Sequence, residues 1–187
     1  HQIVYDYRPG FSRAVEFFQK KQARKILSVG FIDDETSVHR LNVFREEAMR
    51  MGYAPEAIVD YFGENSLISR FFAGQNFAEY YLERRLFDHA IFSSSDFLMI
   101  GMMMVFRKRG VVPGRDFQLV SYDNFESHVS HPEFQFGIPG ITHPQDAMVK
   151  ALIRMLENLD KSENENEFYQ SYFVPAQEFI VRQQNNG

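Results

Sequence analysis

Two rhythms of apolar residues alternate along the chain. Short runs of β-branched and aromatic residues lie at 3–5, 25–31, 57–61, 90–92 and 117–122. Each is bounded by polar or turn residues, the pattern of buried strands. Between them, stretches with apolar spacing near 3.6 read as helices at 11–22, 38–51, 67–85 and from Asp96 to the glycine stop at Gly110. Ala14, Val15, Phe17 and Phe18 form the apolar stripe of the first. Gly52 follows the second as a C-cap, and Gly74 reads as a break in the third. Arg107, Lys108 and Arg109 place cations at the end of the fourth, where the helix dipole favours them. An irregular segment at 125–140 leads to a last helix at 145–159, a polar loop at 160–167, and a hairpin of strands 168–174 and 178–182 joined at Pro175. Strand and helix alternate, which is the order of a doubly wound, mostly parallel α/β sheet.

In such sheets ligands sit beyond the carboxyl ends of the strands. The unit at 89–124 therefore organises the chain, because Ser93, Ser94, Ser95, Asp96, Asp123 and Asn124 all fall at strand ends. Residues 98–106, LMIGMMMVF, are apolar on nearly every face, so that helix needs two partners. The sheet is one. The other is either the rest of this chain or a second subunit, a surface that methionines suit.

The 187 residues suffice for one domain with a sizeable core, and 44% hydrophobic against 24% charged content is that of an ordinary globular protein. A net charge of −5 argues against nucleic-acid binding through the overall field. With no cysteine there are no disulfides, thiolate metal ligands or cysteine nucleophiles. No apolar run approaches the ~20 residues that span a bilayer. Ser93-Ser94-Ser95 lacks the Gly-x-Ser-x-Gly elbow of a hydrolase. Gly30 stands without a dinucleotide-binding glycine pattern. His128 and His131 have no third ligand nearby in sequence and precede Pro132, so they read as loop rather than metal site. No cofactor is expected, and no nucleophile–base pair marks an enzyme.

Four segments in order resemble the LacI/GalR (lactose/galactose repressor) family of bacterial transcription regulators. Residues 36–44, TSVHRLNVF, resemble its Ser-x-x-x-Arg-Leu-x-Gly-Phe; residues 90–101, AIFSSSDFLMIG, its Ala-Ile-Phe-Ala-x-Asn-Asp-x-x-Ala-x-Gly. Residues 110–124 resemble its Gly-x-x-Val-Pro-x-Asp segment running on to Gly-(Phe/Tyr)-Asp-Asp, and residues 174–182 its closing Pro-x-x-Leu-Val-x-Arg. Val43 and Ser121 stand where the family has glycine, and residues 133–140 depart from its Pro-x-Leu-Thr-Thr link. The resemblance implies a periplasmic-binding-protein-like (type I) fold of two lobes with a small effector in the cleft. Residues 1–187 would form an effector-binding fragment, mainly the C-terminal lobe plus one helix, at 145–159, that packs with the other lobe. The DNA-binding domain and most of the N-terminal lobe would lie outside it. A cytoplasmic homodimer, reaching operator DNA through that separate domain, is the implied assembly. A transport-associated sugar-binding protein of the same fold is the alternative.

The resemblance also places the effector. Arg40 would give paired hydrogen bonds to vicinal sugar hydroxyls or to an acid; otherwise it is a surface arginine. Asp123 would accept from sugar hydroxyls; otherwise it caps a turn. Ser95 and Asp96 match the family's Asn-Asp, although Asp96 serves equally as a helix cap. Phe97 would stack on a sugar ring or belong to the core. Thr36 completes the set at the start of the Arg40 helix. Sugar, sugar phosphate and purine all remain open as the effector.

Overall fold

The computed structural model describes residues 2–63, 69–127, 130–159, 171–174 and 179–182. Six strands form the main sheet: β2 (Lys25–Phe31), β3 (Ile58–Gly63), β4 (His89–Ser93), β5 (Leu119–Tyr122), β6 (Gly140–Ile141) and β8 (Phe179–Ile180). Their order is β3-β2-β4-β5-β6-β8, parallel throughout except for the antiparallel β6–β8 edge. Helices α1 (Arg8–Lys20) and α2 (Glu35–Arg50) pack on one face, and α3 (Ser69–Glu83) and α4 (Asp96–Lys108) on the other. This is the expected doubly wound α/β lobe.

Side-chain alternation along the strands divides the core in two. Leu27, Val29 and Phe31 of β2, with Ile91 and Leu119, face α3 and α4. Ile26, Ala90, Phe92, Val120 and Tyr122 face α1 and α2. On that second face Phe44 stacks on Phe92, with centroids 4.0 Å apart and planes 4° off parallel, and Phe11 meets Phe92 edge-on at 5.3 Å. Five strands running the same way bring their carboxyl ends to one edge of the lobe, and the chemistry gathers there.

Several elements differ from the sequence expectation. α1 begins at Arg8, not 11, because Pro9 sits in its first turn, where a missing N–H costs nothing. Residues 69–83 form one helix with Gly74 inside it, so Gly74 is not a break. A Cβ on Gly74 would lie 2.2 Å from the Leu98 carbonyl oxygen, and one on Gly101 would lie 2.1 Å from that of Phe71. These two glycines let α3 and α4 cross backbone to backbone. Besides the sheet, α4 thus packs on α3 of the same chain. Leu98, Met99, Met102, Met103 and Phe106 are buried there, leaving Phe97 and Met104 exposed.

Gly140, the end of the expected irregular segment, and Ile141 after it form β6. The two C-terminal strands do not make a hairpin. β8 closes the main sheet, while β7 (Ser171–Val174) pairs in parallel with β1 (Gln2–Tyr5) as a separate two-stranded sheet. Helix α5 (Gln145–Leu159) packs against β7 and β1. The expected polar loop at 160–167, the turn at Pro175 and His128 lie outside the described residues.

Candidate functional site

The carboxyl ends of β2, β4, β5 and β6 lie side by side, so residues 32–34, 94–96, 123–124 and 142–143 share one edge. Asp34 caps α2 there, accepting from the Thr36 and Ser37 amides at 3.0 and 3.2 Å. That cap starts the helix early enough to put Arg40 in its second turn.

Arg40 lies over an aromatic floor, its guanidinium carbon 3.9 Å from the Tyr122 ring centre and 5.9 Å from that of Tyr7. Its Nη1 donates to the Ser94 carbonyl at 3.0 Å and lies 3.7 Å from Asp123 Oδ2. Its Nε is buried and has no partner among the described residues. An unpaired buried donor costs about 1–3 kcal/mol, so a ligand acceptor there would recover that loss.

Asp123 and Asn124 both take left-handed backbone, φ +83° and +53°. Two consecutive non-glycine residues in that region store strain, which concentrates at functional sites. The turn is clamped from behind. Asn124 Nδ2 donates to Ser127 Oγ at 2.5 Å, and Arg182 donates to Asn124 Oδ1, to Ser127 Oγ at 2.9 Å and to the Ile138 carbonyl at 2.6 Å. The buried Glu126 carboxylate accepts from the Gly137 and Ile138 amides at 3.0 and 2.9 Å. The arginine of the closing motif thereby fixes the turn that aims Asp123. Asp123 Oδ1 also meets His143 Nε2 at 2.5 Å, and His143 Nδ1 lies 3.4 Å from the Tyr122 hydroxyl. The His143 ring stands edge-on to Tyr122 and Tyr5, at 5.0 and 5.5 Å.

Asp96 behaves differently. It is 9% exposed, and desolvation, helped by the nearby Asp123 charge, pushes its carboxyl up to about 8. It therefore carries a proton at neutral pH. Ser121 Oγ lies 2.9 Å from Asp96 Oδ1 and 2.9 Å from the Tyr122 carbonyl oxygen. One hydroxyl proton cannot serve both acceptors. A protonated Asp96 resolves this: it donates to Ser121, which donates to the carbonyl. The serine found where glycine was expected is thus the partner of a neutral acid. Asp96 makes no cap bond and presents no negative charge.

Of the expected residues, the fold brings Arg40 and Asp123 into contact, with Asp96 behind them. Ser95 is the N-cap residue of α4 without a side-chain cap bond, and Phe97, 54% exposed, follows in the first turn. Thr36 is exposed one helical turn before Arg40. Among the described residues, no hydrogen bond, ion pair or ring contact joins Thr36 or Phe97 to the Arg40–Asp123 pair. His143, Tyr122 and Tyr7 were not singled out as site residues from sequence, and Ser94 only as one of the strand-end residues. Nothing in linear order connects His143 to Asp123 twenty residues earlier, and a left-handed φ leaves no mark in an Asp-Asn dipeptide.

Many solved structures share this fold. A LacI-family transcriptional regulator from Enterococcus faecium with bound ribose superposes with a TM-score of 0.74 at 16% identity, over 97% of this chain and 64% of its own. The Lac repressor bound to ONPG in its repressed state gives 0.72 at 17%, over 96% and 51%. The fold is that of the effector-binding region of LacI-family regulators. A LacI-family regulatory protein from Chloroflexus aggregans likewise gives 0.70 at 20% identity, over 96% of this chain and 62% of its own. The chain spans between half and two thirds of the length of such proteins, from 51% to 67%. No protein-family model and no curated protein matches it. Within the LacI-type lobe, Arg40 and Asp123 occupy the strand-end edge. No described helix is long and apolar enough to cross a membrane.

Proposed function

We propose that this chain is the effector-sensing part of a LacI/GalR-type transcriptional regulator. It binds a small molecule, a sugar or sugar derivative, at the edge formed by Arg40, Asp123 and the α4 N-terminus. The observation that carries this reading is the guanidinium of Arg40, held over Tyr122, with a buried Nε that has no partner among the described residues, beside Asp123 on its left-handed backbone. Such a fork donates to vicinal hydroxyls or to an acid with little loss of side-chain freedom. Phe97, exposed at the same edge, offers an apolar face to a sugar ring. Ser95 and Thr36 complete the polar rim, and Asp96 supports the site as a neutral acid. The chemistry is binding without turnover.

The opposite wall of the cleft would come from a second lobe. α5 leaves Val149, Leu152, Ile153 and Leu156 exposed at helical spacing along one face. The β1–β7 sheet has two strands among the described residues, too few to be stable alone. Both features fit a lobe completed by further chain, with operator DNA bound through a separate domain and effector binding shifting the balance between two states of a cytoplasmic homodimer.

Thermal shifts of the full-length protein against sugars, sugar phosphates and nucleobases test the reading. A true effector at a hundredfold excess over its Kd should add about 2.7 kcal/mol. Arg40→Ala should weaken that effector on the order of 10- to 100-fold, the loss of a charge-assisted hydrogen bond of about 1.5–3 kcal/mol. An effector bound equally well by a folded Arg40→Ala protein would overturn the assignment.

A further inference from the structure

The opposite edge of the sheet, at the amino ends of β2 and β4, carries an open cavity of about 560 Å³. We propose that it is a second ligand site, for a small phosphate-bearing molecule with an aromatic body, of the nucleoside-phosphate class. The volume is that of a typical small-molecule site, roughly 300–1,000 Å³.

Charge argues for an anion. Lys21, Arg24, Lys25 and Arg115 line the cavity with only two carboxylates, Asp88 and Asp116. Both carboxylates are already engaged. Lys25 and His89 contact Asp88 at 3.2 and 2.6 Å, and Arg115 meets Asp116 at 2.7 Å. Lys21 and Arg24, both exposed on the turn between α1 and β2, remain as surplus positive charge in a chain whose net charge is −5. Between them Gln22 holds φ +59°, a left-handed conformation unusual outside glycine, and it too lines the cavity. Ammonium and guanidinium groups set together at a concave rim are the usual means of holding phosphate.

Phe87 argues for the aromatic body. Its ring is 40% exposed in the cavity wall and braced edge-on by Tyr81 at 5.7 Å and 85°. A braced, half-exposed ring is a stacking platform for a base. His89 and Gln118 supply hydrogen-bonding groups in the wall. The site is independent of the Arg40 edge and does not rest on the function proposed there.

Titration calorimetry on the purified protein in low salt, with ATP, pyrophosphate and adenosine as probes, tests it. ATP should bind more tightly than either fragment, and its affinity should fall as salt rises. The double variant Lys21→Ala/Arg24→Ala, at two exposed positions that do not threaten folding, should weaken ATP at least tenfold. Phe87→Leu should weaken ATP several-fold and leave pyrophosphate unchanged. Arg40→Ala should leave all three probes unaffected. Absence of ATP binding at millimolar concentration overturns the proposal. So does binding that survives the double variant or is lost in Arg40→Ala, since it then belongs to the other edge. Equal affinity for ATP and pyrophosphate, indifferent to Phe87→Leu, overturns the nucleoside assignment.

Discussion

Asp96 should make this protein lose stability as pH rises through neutrality. In the unfolded chain its carboxyl titrates near the ordinary 3.8, and in the fold burial pushes it up to about 8. Between those values the folded state holds a proton that the unfolded state has released. Stability is therefore greatest at acid pH and falls at about 1.4 kcal/mol per pH unit until the folded group ionises. From about pH 5.5 to pH 7.5 the loss is about 2.5 kcal/mol. With a urea dependence of about 2 kcal/mol per M, the unfolding midpoint should drop by about 1 M. Other shifted groups act outside this window. Hydrogen bonds from Arg50 and Arg115 hold Glu47 and Asp116 below the ordinary range, so their stabilisation is lost only in acid. Burial raises the hydroxyls of Tyr53, Tyr61 and Tyr81, which matters only in strong alkali. The assay is urea unfolding of wild type and Asp96→Asn at half-unit steps of pH. Subtracting the two curves cancels every shared titration, histidines included. The wild type should lose ground to the variant with rising pH and level off above about 8. A pH-independent difference, or one of opposite sign, would mean that Asp96 is ionised in the fold and that the Asp96–Ser121–Tyr122 proton chain is wrong.

Gly74→Ala should cost about 1–3 kcal/mol or more, because its Cβ would meet the Leu98 carbonyl at 2.2 Å and neither helix backbone can yield; a thermal unfolding temperature within error of wild type would contradict the close α3–α4 crossing. Glu126→Ala should cost about 1–3 kcal/mol by removing the carboxylate beside Arg182 and the acceptor of the Gly137 and Ile138 amides. Hydrogen exchange at Gly137 and Ile138 should accelerate in that variant, and unchanged protection would contradict the clamp.

The layered α/β architecture was readable from residue order because strand and helix periods are local. Runs such as KILSVGF and AIF, separated by helical spacing and stopped by Gly52 and Gly110, leave few other arrangements. Arg40, Asp123 and Asp96 were readable as residues at strand and helix ends, since a parallel sheet sends all such ends to one edge. Their chemistry was not. Charge state depends on burial and on neighbours distant in sequence, and so residue order alone could not show that Asp96, read as a ligand group or a helix cap, is buried beside Ser121 with its carboxyl pushed up to about 8. Gly74 was misread because a break and a close helix crossing both demand glycine, and only the facing helix distinguishes them. The terminal hairpin was misread because two strands adjacent in sequence usually pair, whereas here each found a better-placed edge in a different sheet. Local spacing along the chain determined the elements, their order and the edge where chemistry gathers. Long-range contact decided which acid keeps its proton, which arginine edge stays open and which strand closes which sheet, because those energies arise only when distant residues exclude water from one another.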